Sequence, residues 1–206
     1  YEPVDLADAQ AFVKGLSDEE LAYIVLGQYA ETADKQSIIG QASEALVGAA
    51  GQTTTRFEGL PSLVMPDGPA GLRISPEVGV DADGKFPLGA ALGGLFAELM
   101  DEESLKAFGL DSDQEPRVPE STFEQWATAI PIGTAIAQSW SPALAEAYGD
   151  LVGAEMDHFG AHLWLAPAFN LHRSILCGRN FEYLSEDPLL AGRVAAGITR
   201  GVQGHP

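Results

Sequence analysis

The chain has 206 residues, 46% of them apolar, with 30 acidic against 11 basic side chains and a formal charge of −19. That length and apolar content suit one globular domain with a sizeable core and exclude a disordered or fibrous polymer. A surface this negative repels phosphate backbones and anionic bilayers, so neither nucleic acid nor a membrane is an expected partner.

In chain order, "LSDEELAYIVLGQY" comes first, where Ser17 and Glu20 have capping-box spacing and Leu21, Ile24 and Val25 fall on one face, so a lead-in helix is predicted from Ser17. "LPSLVM", Leu60 to Met65, is a short apolar run closed by Pro66, Asp67 and Gly68, the pattern of a buried strand ending in a turn. An acidic stretch from about Asp81 to Glu124 reads as an inserted loop, with a helix over "GLFAELMDEESLKAFG". "IPIGTAIAQSW", Ile130 to Trp140, predicts a strand. "SPALAEAYGDLVGAEMDHFG" predicts a helix with Ser141 as N-cap, Pro142 in the first turn, Gly160 as stop, and Leu144, Tyr148, Leu151, Val152, Met156 and Phe159 on the core face. "AHLWLAPAF" predicts another strand, and "DPLLAGRVAAGITRGVQG" a helix capped by Asp187 and Pro188 that ends near Gly204.

Strand, helix, strand, helix implies a parallel sheet with helical crossovers. A doubly wound sheet and a barrel both fit, but no GxGxxG or Walker-type glycine loop follows a strand, which favours the barrel. The expected fold is α/β, an incomplete (β/α)8 TIM-type barrel. Residues 1–59 form a helical lead-in, and 60–206 supply the first three or so β/α units, to be completed by further polypeptide. The start at Tyr1 and the stop at Pro206 also read as a piece of a longer protein. The opening "YEPVDLADAQ" lacks the basic and apolar regions of a signal peptide, and no apolar run approaches the ~20 residues of a membrane span. The single cysteine, Cys177, cannot pair within the chain; it leans towards a reducing, cytoplasmic compartment and leaves localisation open.

Two polar clusters follow predicted strands: "MPDGPAGLR", Met65 to Arg73, and "NLHRSILCGRNFEYLSEDP", Asn170 to Pro188. In a parallel barrel the loops after strands gather at one face, so Asp67 and Arg179 can converge. A carboxylate accepts from two neighbouring hydroxyls and a guanidinium offers a fork of donors, a pairing suited to a sugar ring. The plainer reading makes Gly68, Pro69 and Gly71 turn residues, Arg173 or Arg179 ion-pair partners of Glu182, Glu186 or Asp187, and Asp187 a helix cap. His158 and His162 are separated by the helix stop at Gly160 and lack an HExxH context, which disfavours zinc. His172 reads as a hydrogen-bonding framework residue, Trp140 and Trp164 as core packing, and Cys177 as a small buried side chain. No metal or other cofactor is called for.

"LVMPDGPAGLR", "IPIGTAIAQSW" and "LAPAFNLHRSILCGRNFEYLSEDPLLAGRVAAGITRGVQ" resemble the first part of the catalytic barrel of family 3 glycoside hydrolases, the β-glucosidase group. The likeness runs from about Leu60 to Gly204, apart from the acidic stretch between Arg73 and Ile130. It implies a retaining, exo-acting enzyme that removes a terminal, non-reducing β-linked glucose or related sugar, with a β-linked glycoside or oligosaccharide as substrate. By the same resemblance Asp67 binds hydroxyls of the terminal ring, Arg179 lines that subsite, and Arg73 holds the loop or the edge of the site. The family's Lys-His pair, nucleophilic aspartate and acid/base residue fall outside this sequence. They are therefore expected from a missing segment or a second polypeptide, and this chain alone is expected to be inactive. The alternative is a non-catalytic carbohydrate-binding or interaction module that keeps the same loops.

Overall fold

The structure is a computed structural model that describes residues 6–28, 43–88, 101 and 117–205. Its elements in order are helices α1 (Ala7–Lys14) and α2 (Asp18–Leu26), strands β1 (Gly51–Gln52), β2 (Val64–Met65), β3 (Glu77–Asp81), β4 (Gly84–Pro87) and β5 (Ser121–Glu124), and helices α3 (Gly133–Gln138), α4 (Pro142–Phe159) and α5 (Pro188–Val202). A 3-10 turn, Asn180–Glu182, precedes α5.

Local chemistry fixes the helix ends. At α2 the Ser17 hydroxyl accepts from the Glu20 N–H at 3.3 Å while the Glu20 carboxylate accepts from the Ser17 N–H at 2.8 Å, the reciprocal cap that the spacing predicts. Ser141 caps α4 with Pro142 behind it, Gly160 ends it in the left-handed region at φ 68, and the Asp187 carboxylate accepts from the Leu189 N–H at 2.7 Å to start α5. Helices α4 and α5 then pack against each other. A Cβ on Gly149 would lie 2.0 Å from the Ile198 carbonyl oxygen, so the two backbones meet where no side chain intervenes. Around that contact lie the buried Ala145, Tyr148, Val152, Met156, Ala191, Val194 and Ile198. Each larger aliphatic there contributes about 1.5–3 kcal/mol of burial.

On the core face of α4 Tyr148, Val152 and Met156 are buried as expected, and the rest of the face differs. Leu144 and Leu151 are exposed, and Ala145, Gly149 and Gly153 take the inner stripe, because backbone contact with α5 requires small residues there. The predicted strand over Ile130–Trp140 is corrected to the short helix α3. Its buried residues, Gly133, Ile136 and Ala137, recur at i, i+3 and i+4, a helical spacing that the β-like "IPI" start obscured. Trp140, expected in the core, is exposed at φ 55 between α3 and α4.

The strands are also shorter and paired differently than expected. Of Leu60–Met65 only Val64–Met65 is strand, antiparallel to Gly51–Gln52. The second apolar run, 161–169, forms no strand, yet the Leu163 N–H donates to the Val64 carbonyl at 3.2 Å and the Leu165 N–H to the Pro66 carbonyl at 2.9 Å. These bonds advance in the same direction on both segments, as in a parallel pair. Pro66 has no N–H to return the intervening bond, so the ladder stays incomplete. The ends of the acidic stretch, read as loop, are strands: β3 pairs with β4 across an Ala82-Asp83 turn and with β5 on its other edge, in the order β4-β3-β5, all antiparallel. Arg117 forks onto the Asp81 carboxylate, its Nε at 2.5 Å, and lies 4.2 Å over the Phe86 ring. The predicted helix over Gly94–Gly109 lies outside the described residues except for Asp101.

Candidate functional site

The turn from Asp67 to Arg73 leaves the end of β2 and doubles back at once, since the Asp67 carbonyl accepts from the Arg73 N–H at 2.8 Å. Two glycines permit this. Gly68 stands at φ 116 and Gly71 at φ 110, and a Cβ would come within 2.0 Å of the Gly71 carbonyl oxygen at the first position and 2.1 Å of the Thr128 carbonyl oxygen at the second. Inside the turn Asp67 uses both carboxylate oxygens: Oδ1 accepts from the Gly68 N–H at 2.8 Å and Oδ2 from Arg73 Nη2 at 2.5 Å. The carboxylate side chain is still 31% exposed, so its remaining lone pairs face outward. Outside donors grip the same turn. Trp164 Nε1 donates to the Gly68 carbonyl at 3.1 Å, the Tyr148 hydroxyl to the Pro69 carbonyl at 2.7 Å, and the Ile130 N–H to the Ala70 carbonyl at 3.0 Å.

The second cluster is built differently. Arg179 Nε donates to Glu182 Oε1; the carboxylate is nearly buried, at 9% side-chain exposure, while the guanidinium stays 70% exposed. That hydrogen bond, and then the charges of Glu182 and Tyr183, hold Arg179 above the usual guanidinium range, with the Asp67 carboxylate adding to the effect. Asp67 and Arg179 are thus within electrostatic reach of each other, although each is neutralised first by its own partner. From outside the loop the Thr134 hydroxyl faces the carbonyls of Tyr183 at 2.8 Å, Asn180 at 3.1 Å and Phe181 at 3.2 Å. Asn180 Nδ2 donates back to the Ser174 carbonyl at 2.7 Å.

An open cavity of about 550 Å³ is lined by Phe169, Asn170, Leu171, Arg173, Ser174, Cys177 and Tyr183; of the two loop arginines it is Arg173 that lines it, and Arg179, expected to point into a pocket, does not. Cys177 is exposed on its wall, against the expectation of a buried thiol, because the turn at 175–179 carries it outward. The backbone N–H of His172 donates to the Ser185 carbonyl at 3.2 Å and its ring lies 6.3 Å from that of Tyr183, but the buried ring Nε2 meets no hydrogen-bond partner among the described residues, so the side chain does not show the hydrogen-bonding framework role expected of it. His162 accepts the Val64 N–H on Nδ1 at 3.1 Å, which ties it to β2. Among the described residues no cluster of three histidine, cysteine or acidic side chains is arranged to hold a metal ion, and no helix is long and apolar enough to cross a membrane. Sequence reasoning singled out Asp67, Arg73, Arg179 and Glu182 but missed Tyr148, Trp164 and Thr134 as polar partners. Each acts on a backbone carbonyl in a distant loop, which no local pattern discloses.

Residues 110–206 match the N-terminal domain of glycosyl hydrolase family 3. The chain is 32% identical over 194 residues to β-glucosidase A of Butyrivibrio fibrisolvens, covering 94% of this chain and 16% of that protein. Thermostable β-glucosidase B of Acetivibrio thermocellus is 34% identical over 145 residues, 70% of this chain and 14% of that one. A solved structure of β-glucosidase 3B from Thermotoga neapolitana, in complex with glucose, superposes with a TM-score of 0.60 at 31% identity, covering 95% of this chain and 21% of that one. The chain therefore spans about a seventh to a fifth of the length of these relatives.

Proposed function

We propose, from the match of residues 110–206 to the N-terminal domain of glycosyl hydrolase family 3, that this chain is the sugar-binding first part of a retaining, exo-acting β-glucosidase. The substrate is a β-linked glycoside or oligosaccharide, from which a terminal non-reducing glucose or related sugar is removed. The nucleophile and the acid/base carboxylate, which a retaining enzyme holds about 5–5.5 Å apart across the scissile bond, come from polypeptide that completes an incomplete (β/α)8 barrel begun by this chain.

The observation that carries the reading is the half-exposed Asp67 carboxylate, fixed at 2.5 Å by Arg73 within electrostatic reach of Arg179. Arg73 and the Gly68 N–H hold the Asp67 carboxylate in one orientation, so it meets two ring hydroxyls as a pre-oriented acceptor. Arg179, anchored through Nε, keeps its terminal nitrogens for a further hydroxyl. Arg73 is thereby assigned to orienting the carboxylate at the edge of the subsite. The unpaired outer edge of 162–165, with Leu163 and Leu165 exposed, is where the completing polypeptide packs.

The test is to express the chain together with its completing segment, follow hydrolysis of an aryl β-glucoside, and record by NMR the anomer of the first-formed sugar. Release of the β-anomer is expected. First-formed α-anomer overturns the retaining mechanism, absence of hydrolysis overturns the enzyme reading, and hydrolysis by the 206-residue chain alone overturns the division of labour.

A further inference from the structure

Beneath the Asp67 turn stand two aromatic side chains from two different elements. Tyr148, in the middle of α4, donates its hydroxyl to the Pro69 carbonyl at 2.7 Å, and Trp164, in the segment beside β2, donates its indole N–H to the Gly68 carbonyl at 3.1 Å. Both are buried in the main core, and their rings meet edge to face with centroids 6.0 Å apart, so each blocks rotation of the other. Burial pushes the Tyr148 phenol well above its usual range, which keeps it a proton donor at any working pH.

The two bonds act where the backbone is least restrained by side chains. Gly68, at φ 116, has no Cβ to limit its torsions, and its own N–H orients the Asp67 carboxylate at 2.8 Å. Holding the Gly68 carbonyl fixes the peptide that follows, and holding the Pro69 carbonyl fixes the next one. The Gly68 N–H lies in the preceding peptide, whose carbonyl, that of Asp67, accepts from the Arg73 N–H at 2.8 Å; the two aromatic side chains hold the other side of the Gly68 hinge and so complete the restraint on Asp67 Oδ1.

We propose that Tyr148 and Trp164 are positioning residues for Asp67, aiming its carboxylate through the Gly68 and Pro69 carbonyls; this rests on the reading of Asp67 as a sugar-binding residue. The test is a double-mutant cycle in the complete enzyme with Tyr148→Phe, which removes the hydroxyl and keeps the ring, in both wild-type and Asp67→Ala backgrounds. Tyr148→Phe alone is expected to lower kcat/KM for an aryl β-glucoside about tenfold, the worth of one well-placed hydrogen bond. In the Asp67→Ala background it should change kcat/KM less than about twofold. An equal drop in both backgrounds overturns the proposal, since Tyr148 would then serve the fold at large. The same cycle with Trp164→Phe covers the case in which Tyr148→Phe fails to fold, and failure of both variants to give a cooperative melt also overturns it. If Asp67→Ala itself leaves kcat/KM unchanged, the reading of Asp67 fails and takes this inference with it, an outcome distinct from additivity.

Discussion

The Asp67 turn and the Arg179 loop carry opposite charges and are secured in contrasting ways. The first is held from outside, by Trp164, Tyr148 and the Ile130 N–H acting on three successive carbonyls. The second is held largely by itself, through the Arg179–Glu182 pair, the Asn180 bonds to Cys177 and Ser174, and one external hydroxyl from Thr134. Its tip is correspondingly bare, with Ile175 97% and Leu176 89% exposed. The carboxylate is held by the scaffold around its turn, whereas the guanidinium sits on a loop secured mainly by its own bonds.

Removing the scaffold-held carboxylate should produce the largest effect. Asp67→Ala in the complete enzyme is expected to lower kcat/KM towards an aryl β-glucoside by roughly two to four powers of ten, each factor of ten being about 1.36 kcal/mol. The thermal midpoint should move little, because the group lost is partly exposed. An active but unstable Asp67→Ala protein would make Asp67 a turn residue and erase the contrast. Next is the turn itself: Gly68→Ala puts a Cβ 2.0 Å from the Gly71 carbonyl oxygen and should destabilise by roughly 2 kcal/mol or more, a fall in Tm of about 4–8 °C by calorimetry. The same substitution at Gly178, where a Cβ meets nothing within 4 Å, should leave Tm almost unchanged.

A smaller effect is expected at the single external tether of the second loop. Thr134→Val should cost about 1 kcal/mol and raise KM more than it lowers kcat, and Thr134→Ser, which keeps the hydroxyl, should restore both. Equal behaviour of the Val and Ser variants would mean that the Arg179 loop needs no tether. The mildest probe leaves the sequence intact. Limited chymotrypsin digestion should nick the chain first at Leu176, with the Asp67 turn still protected; first cleavage at Met65 or Leu72 would reverse the ranking of the two regions.

Much of the fold was legible where local chemistry decides it. Ser17 with Glu20, Ser141 with Pro142, Gly160, and Asp187 with Pro188 each mark a boundary through bonds to neighbours a few residues away. Sequence misled where a distant partner chooses the outcome. Ile130–Trp140 reads as β by residue type, yet Gly133 and Ile136 turn helical to lie against the 3-10 turn and Leu184. Leu144 and Leu151 look like core residues, but the approach of α5 gives the inner face to glycine and alanine. The hairpin β3-β4 was missed although Asp83-Gly84, flanked by Val78, Val80 and Phe86, is a strong local turn signal; the surrounding acidity masked it. For the site, the loops and their charged residues were readable from turn chemistry and the family resemblance. The pairing of Arg73 with the Asp67 carboxylate, and the aromatic supports beneath it, depend on three-dimensional closure.

The bond from Trp164 to the Gly68 carbonyl joins residues 96 positions apart, and that from Tyr148 to the Pro69 carbonyl spans 79. By contrast α4 and α5, with the charged loop between them, lie within one stretch of 142–202 and meet across shorter separations, as Gly149 meets Ile198. Loop-closure entropy makes the nearer contacts form first. The helix pair should therefore act as the folding nucleus, with the Asp67 turn docking late against a surface already made. Substitutions at Val152 or Ile198 should accordingly slow folding, with φ-values well above zero, while Tyr148→Phe and Gly68→Ala should chiefly speed unfolding. The same timing should make the Asp67 turn the later of the two charged loops to assemble during folding and the first to be lost when the protein is warmed.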